Sequence, residues 1–361
     1  MRRMSQALLL LAAAPQLFAQ GSKSELTRLL ETELATYPAK AGVYVKNLRT
    51  GEEATVNPDQ AFNSMSVIKI PIMIRAFQLA DQGKLNLDER VEIRRSDLRD
   101  GTGVFQFFDL GLRPTIRDVI TQMIITSDNT ATDLMTLKIG GVDSLNIWLQ
   151  RSGYPKTRMV GRGFEYRRKL LAALSPDLAN LTPEETTGLQ YAAQDSPLFA
   201  LYEPLFSAER AKWVALVRDP ANRRALADAR TRLAVQDPAY WLGDMNPREA
   251  GRLLEGIELG THASAAASAS MRAILRRQQL GVRRIPHFLD VPVAHKTGDL
   301  TPSIANDVGM VYARSGTVIM AFFVNGITGP YAEGEDMIGR TAKKIVDYFD
   351  GAASPRSSER R

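Results

Sequence analysis

Strand-like segments lie near both ends of the chain, with helix-like segments between them. Residues 41–48 and 54–56 are rich in β-branched and aromatic side chains, and residues 291–297, 307–313 and 317–325 repeat this composition near the C-terminus. Strands need neighbouring strands to satisfy their backbone hydrogen bonds, so we expect both groups to pair in one sheet. The sequence therefore predicts an α+β fold: an antiparallel sheet built from both chain ends, flanked by helices, beside an all-helical region.

The residues that follow Ser66 predict a buried helix. Positions 68–79 are mostly Ile, Met, Phe, Leu and Ala, so this helix leaves little polar surface and must be covered on all sides. Lys69 follows Ser66 by three residues, which places both side chains on one face. The helix dipole also favours developing negative charge at its first turn.

Three short motifs follow one another along the chain. They are Ser-Val-Ile-Lys at residues 66–69, Ser-Asp-Asn at 127–129 and Lys-Thr-Gly at 296–298. Each alone occurs by chance in chains of ordinary composition, whereas the ordered set of three is much harder to obtain by accident. Together they supply two serines and two lysines for one site.

These residue types suit acyl transfer through a serine ester. A serine hydroxyl such as that of Ser66 needs a base. Lys69 can act as that base if burial or a nearby cation lowers its pKa, and Lys296 is a candidate for the cation. Ser127 can relay a proton to a leaving nitrogen.

The remaining motif residues predict substrate contacts. Asn129 can hold Lys69 and a substrate amide, and Thr297 can bind a carboxylate together with Lys296. Gly298 allows a close approach of the substrate backbone. The backbone N–H groups of Ser66 and Asp299 are candidate oxyanion donors.

At these motifs the chain resembles the class A serine β-lactamases and, more widely, the penicillin-binding proteins and serine D,D-peptidases. Residues 65–71, 125–133 and 293–299 are similar to the family beyond the bare motifs. The resemblance covers about residues 26–348. It implies the α+β fold, no metal and no cofactor, and acyl-enzyme chemistry on a β-lactam or a D-Ala-D-Ala-like amide. The expected partner is this small-molecule substrate, and we expect a monomer.

The resemblance also implies a glutamate that activates water for deacylation. Residues 157–165 are similar to the entry of the family's glutamate loop, and Glu165 is the candidate base. The alternative is a surface glutamate paired with Arg167 or Arg168. Lys169 stands where the family usually has an asparagine, which puts fast deacylation in question. A D,D-peptidase or esterase, or a penicillin-binding protein that is acylated without turnover, is therefore the alternative to an antibiotic-resistance β-lactamase.

The predicted catalytic domain spans residues 24–350 and contains a large helical insertion at about 170–242. Its aromatic and aliphatic residues recur at roughly helical spacing. We expect them to pack on one another, since such a stripe is usually core. A substrate-gating or partner-binding surface is the alternative.

The two ends of the chain have other compositions. Residues 1–19 resemble a signal peptide, with Arg2 and Arg3 before an apolar run of about a dozen residues that is too short to span a bilayer. This predicts an exported protein, periplasmic or secreted. Residues 352–361 are rich in Ser and Arg and predict a disordered tail.

Charge and composition exclude several functions. The net charge of +6 is mild and the basic residues are scattered among acids, so we expect solvated faces and no nucleic-acid binding. With no cysteine the chain has no disulfide and no thiol nucleophile, and its three histidines are badly spaced for a zinc site.

Overall fold

A computed structural model describes residues 23–353 of the chain. The predicted signal peptide at residues 1–19 and the predicted tail at 352–361 lie outside the described residues, apart from the helical backbone at 352–353. The strands are β1 (Lys40–Asn47), β2 (Glu53–Val56), β3 (Phe62–Asn63), β4 (Arg158–Met159), β5 (Gly243–Met245), β6 (Val293–Leu300), β7 (Ile304–Ala313) and β8 (Gly316–Asn325). The helices are α1 (Glu25–Leu34), α2 (Lys69–Asp81), α3 (Ile116–Ile125), α4 (Asn129–Lys138), α5 (Gly141–Arg151), α6 (Gly163–Ala172), α7 (Pro183–Ala193), α8 (Ala211–Arg218), α9 (Pro220–Gln236), α10 (Pro247–Leu259), α11 (Ala265–Leu275) and α12 (Tyr331–Ala353).

The main sheet joins both ends of the chain, which confirms the predicted fold class. Its strand order is β2-β1-β8-β7-β6, and every neighbouring pair is antiparallel. Val43 of β1 lies opposite Phe322 of β8. At the other edge Lys296 of β6 lies opposite Val308 of β7. The Lys-Thr-Gly motif therefore lies on an edge strand.

Both faces of this sheet are covered. Helices α1 and α12 pack on one face with Leu26, Leu30, Ile338 and Ile345 buried. The other face packs against the helical region, where α2 is buried through Ile70, Ile72, Met73, Ile74 and Phe77. The prediction of a covered apolar helix after Ser66 is thus confirmed, although Ser66 itself lies in a 3-10 turn, Met65–Ile68, that precedes α2.

A second sheet of three short strands was not predicted. Its order is β3-β5-β4, with Phe62 opposite Met245 and Met159 opposite Gly243. These strands contain only two or three residues each, too few to show a periodic pattern. The sheet brings Gly243 of β5 next to the turn that carries Ser66, since its carbonyl accepts from Ser64 N–H and Ser64 Oγ.

Helices α6 to α9 form a third, smaller core. It is built from Leu170, Leu171, Leu178, Leu181, Leu189, Tyr191, Ala192, Phe199, Tyr202, Phe206, Val217 and Leu226. Gly188 of α7 makes close packing possible, since a β-carbon there would lie 2.8 Å from Phe206 Cε2 and Tyr202 Cβ. Apolar residues between 170 and 226 thus pack on one another.

Candidate active site

Ser66 lies on the floor of a cleft of about 520 Å³. Its side chain is partly exposed, in a turn that is otherwise buried. The residue before it, Met65, has a left-handed backbone with φ of 46°, and its N–H donates to Asn63 Oδ1 at 3.1 Å. Such strain persists only where the surroundings hold it, and here β3 supplies the acceptor that holds the turn.

Two lysines meet at one hydroxyl behind the cleft. The Nζ atoms of Lys69 and Lys296 lie 3.0 Å and 3.1 Å from Ser127 Oγ. Lys69 also donates to Ser127 O at 2.7 Å and to Asn129 Oδ1 at 3.1 Å, and Lys296 donates to Thr297 O at 2.9 Å. Both lysine side chains are fully buried, so Ser127 joins them to the open cleft that it lines.

Burial sets the protonation of both lysines. It lowers the pKa of Lys69 well below its usual range, and the nearby cation of Lys296 lowers it further. Burial also lowers the pKa of Lys296 to about 8, opposed by the carboxylates of Asp299 and Asp307. A lowered pKa makes the Lys69 amine easier to deprotonate than an ordinary lysine, as a general base requires.

The Ser-Asp-Asn segment is held from both sides. Ser127 has φ of 55°, and its carbonyl accepts from Thr102 Oγ1 at 2.7 Å. Asp128 caps α4 by accepting from Ala131 N–H at 2.9 Å, and its other oxygen accepts from the N–H groups of Val104 and Phe105. The loop at residues 101–105 therefore fixes the backbone from which Ser127 and its neighbours project.

Asn129 lies between the buried lysine and the cleft. Its Nδ2 donates to Asp100 O at 2.9 Å while its Oδ1 accepts from Lys69. The residue also lines the cleft. Asn129 is therefore placed to orient Lys69 and to meet a substrate amide.

Gly298 brings strand β6 against the turn of Ser66. A β-carbon at residue 298 would lie 2.6 Å from Ser64 O and 3.2 Å from Ser66 N, so a larger residue would push the strand away. Thr297 is fully buried, and its Oγ1 has no hydrogen-bond partner among residues 23–353. Asp299 lines the cleft.

The sequence analysis missed Arg284, which lies behind this strand. Its guanidinium is buried and pairs with Asp299 and with Glu335. It also donates to Asn306 O at 2.8 Å. Burial lowers the pKa of Arg284, but Asp299 and Asp307 outweigh it and raise that pKa. The ion pair with Arg284 neutralises the charge of Asp299, the residue that follows the Lys-Thr-Gly motif. Only the basic run 283–284 marked this position in the sequence.

The structure does not bring Glu165 into the cluster. Glu165 is the third residue of α6, and its Oε2 accepts from Arg162 N–H at 2.8 Å in a capping box. Its carboxylate also lies 3.7 Å from Arg162 Nη2, and the residue is not among those that line the cleft. The prediction that this carboxylate faces the acyl-serine therefore needs correction. The carboxylate instead accepts a hydrogen bond from the N-cap residue of α6. Lys169, four residues later, is exposed.

Arg167 occupies the wall on which the glutamate was expected. It is buried and lines the cleft. It pairs with Asp100 and donates to Asp100 O at 3.0 Å and Gly163 O at 3.1 Å. Its guanidinium also stacks 5.0 Å above Trp241. The expectation that basic residues form solvated faces holds for Lys169 and is wrong for Arg167.

His295 has a structural position. Its Nδ1 lies 2.9 Å from Asp307 Oδ1, in a buried pair that joins β6 to β7. Among residues 23–353 no group of three or more histidine and carboxylate side chains could hold a metal ion. Within the same described part, no helix is both long and apolar enough to cross a membrane.

The cluster of two serines and two lysines supplies the residue types that serine acyl transfer uses. The comparisons then identify the family. The sequence model described as "Beta-lactamase enzyme family" matches residues 22–196 and 218–349, and the chain belongs to this family. It is a divergent, class A-like member of this family.

Similarity to individual proteins is lower. Beta-lactamase VEB-1 of Pseudomonas aeruginosa is 27% identical over 139 residues, which is 38% of this chain and 46% of VEB-1. The chain thus spans less than half the length of such curated relatives. The structure of an ancestral class A β-lactamase covers 90% of this chain and all 100% of its own, with a TM-score of 0.66 and 19% identity. PBP-A covers 91% of this chain and 98% of its own, with a TM-score of 0.64 and 22% identity.

Proposed function

We propose that this protein is a serine hydrolase that β-lactams or D-Ala-D-Ala-like amides acylate at Ser66, and that it releases the acyl group slowly. The observation that carries the proposal is the contact of Ser127 Oγ with both buried lysines, next to Ser66 in one cleft. Glu165 does not line the cleft, and the two carboxylates that do, Asp100 and Asp299, are paired with arginines, which favours slow release over fast turnover.

In the proposed acylation, Lys69 Nζ takes the proton of Ser66 Oγ, and Oγ bonds to the carbonyl carbon of the amide. The N–H groups of Ser66 and Asp299 donate to the oxyanion. The carbon–nitrogen bond then breaks, Ser127 Oγ protonates the departing nitrogen, and Lys69 returns its proton to Ser127. Atoms and charges balance without a cofactor.

Deacylation needs a base for the attacking water. Glu165 is engaged at the start of α6, and Arg167, the side chain that faces the cleft, is a paired cation that cannot accept a proton. The acyl-enzyme is therefore expected to persist, as in the alternative of a penicillin-binding protein.

The test mixes purified protein with a chromogenic cephalosporin and follows both colour and intact mass. One equivalent of colour with a stable adduct, absent in Ser66→Ala, supports the proposal. Sustained turnover without an adduct contradicts slow release and restores the β-lactamase prediction. If neither colour nor adduct forms, β-lactams are not substrates, and peptides and esters become the compounds to test.

Glu165→Gln separates the capping role from the base role. Glutamine can still accept the Arg162 N–H, so we expect the rates of acylation and deacylation to stay within about twofold of wild type. Glu185→Gln is the matched control, since Glu185 caps α7 in the same way by accepting from Thr182 N–H. Pre-steady-state absorbance and time-resolved mass measure both rates.

A loss of about 100-fold in deacylation for Glu165→Gln, within the range for a general base, would show that Glu165 reaches the ester after all. The control variant should keep the wild-type rate in that case. A comparable loss in both variants would instead indicate damage to the helices.

Export is also part of the proposal and rests on the sequence of residues 1–19. Expression of the full chain in a Gram-negative host, followed by fractionation and intact-mass measurement, tests it. A periplasmic product that lacks about 19 residues supports export. A cytoplasmic product of full length contradicts it.

A further inference from the structure

The wall of the cleft opposite strand β6 is supplied by α7 and α9. Its residues are Gln190, Ala193, Gln194, Arg223, Leu226, Ala227 and Arg230. This wall presents two arginines and two glutamines, and no carboxylate. It faces Ser66 from the region in which the insertion was predicted.

The charges in the cleft are not evenly balanced. The two lining carboxylates, Asp100 and Asp299, are paired with Arg167 and Arg284. Arg223 pairs with Asp195. Arg230 is exposed and forms no ion pair with any residue in 23–353. The wall therefore carries an uncompensated positive charge that faces the substrate space.

The amide-binding end of the site leads to this wall. Asn129 donates to Asp100 O, and Asp100 Oδ2 accepts from Gln194 Nε2 at 2.9 Å. The neighbouring Gln190 has a buried Nε2 without a hydrogen-bond partner in the described part of the chain. A substrate that passes Asn129 with its acyl side chain next meets Gln190, Gln194 and the α9 arginines.

We propose that this wall selects substrates with a second anionic group on the acyl side chain, such as a side-chain carboxylate. The proposal rests on the proposed acylation at Ser66. Arg230 supplies the main attraction, Arg223 adds to it, and the glutamine amides provide hydrogen bonds. The substrate class is thus an amide with two carboxylates. One substrate carboxylate lies near Lys296, and the other lies near the arginines of α9.

The test compares benzylpenicillin with carbenicillin, which differs by one carboxylate on the acyl side chain. The readout is the ratio of their second-order acylation rate constants. We expect wild type to favour carbenicillin and Arg230→Gln to lower the ratio about fivefold, the effect of one charge at partly solvated distance. Arg223→Gln should lower the ratio less, because Arg223 is paired with Asp195. Arg232→Gln is the matched control, since Arg232 is exposed on the same helix and does not line the cleft.

A wild-type ratio at or below one, or a ratio that Arg230→Gln leaves unchanged, would overturn this inference while acylation itself stands. If neither penicillin acylates wild type, the proposed function fails, and calorimetric titration of Ser66→Ala with the same two compounds still decides the inference. Tighter carbenicillin binding that Arg230→Gln weakens supports it. Equal or undetectable binding of the two compounds contradicts it.

Discussion

At the scale of single residues, the site depends on two buried lysines held near one hydroxyl. Lys69 and Lys296 are fully buried and share Ser127 Oγ. Removing charged groups from water is costly, so burial favours the neutral amines. Burial costs folding free energy, and the same burial lowers the pKa of Lys69 and so prepares its amine to take a proton.

The pH dependence of acylation follows from these shifts. The second-order rate constant should rise as Lys69 loses its proton through its lowered pKa. It should fall near pH 8, where Lys296 loses the charge that we propose attracts the substrate carboxylate. Stopped-flow rates between about pH 5 and 10 measure both limbs.

The variant Lys296→Arg tests whether Lys296 causes the fall in the acylation rate near pH 8. A guanidinium keeps its charge across this range, so the variant should be slower overall and lack the fall near pH 8. Circular dichroism controls for folding. If the fall near pH 8 persists in a folded variant, another group causes it.

At the scale of elements, helix termini and helix faces decide which side chains reach the cleft. Glu165 and Arg167 are two residues apart on α6, yet the first caps the helix and the second lines the cleft. Residues two apart on a helix do not face the same side. The geometry of α6, rather than distance along the chain from Ser127, therefore assigns their roles.

Helix α10 packs closely on the main sheet through a glycine. A β-carbon at Gly251 would lie 2.2 Å from Tyr44 Cδ1, so Gly251→Ala should lower the free energy of unfolding by about 1–3 kcal/mol. Gly351→Ala in α12 is the matched control, since nothing lies within 4 Å of its β-carbon. It should be neutral or stabilising by up to about 1 kcal/mol. Urea denaturation measures both, and equal stability of the two variants would contradict this packing.

At the scale of the whole molecule, the main sheet couples two large cores. Along β8, Ile319, Ala321 and Phe323 belong to the helical core, while Met320 and Phe322 belong to the core under α1 and α12. This alternation places one backbone between both cores. We therefore expect them to unfold together.

Leu30→Ala in α1 and Ile120→Ala in α3 test this coupling from opposite sides of the sheet. Both residues are fully buried, and each substitution should cost about 2–5 kcal/mol. Calorimetry should show the same single main transition at a lower temperature in both variants. A separate early transition in Leu30→Ala, with the rest unchanged, would show that the cores unfold independently.

The sequence by itself predicted the sheet from both chain ends, the buried helix after Ser66 and the ordered motifs of the site. These features are local: side-chain periodicity and short motifs are visible without knowledge of distant contacts. Strands such as β3 and β5 are too short to carry such a pattern, and only their pairing reveals them.

The tertiary structure alone decided which charges meet in the cleft. Arg284 pairs with Asp299 from another segment of the chain. Arg230 of α9 lines the cleft, and Arg167 lines it where Glu165 does not. Each placement depends on contacts between residues far apart in sequence or on the rotation of a helix. These contacts form only when the whole chain has folded, so no local pattern of residues predicts them.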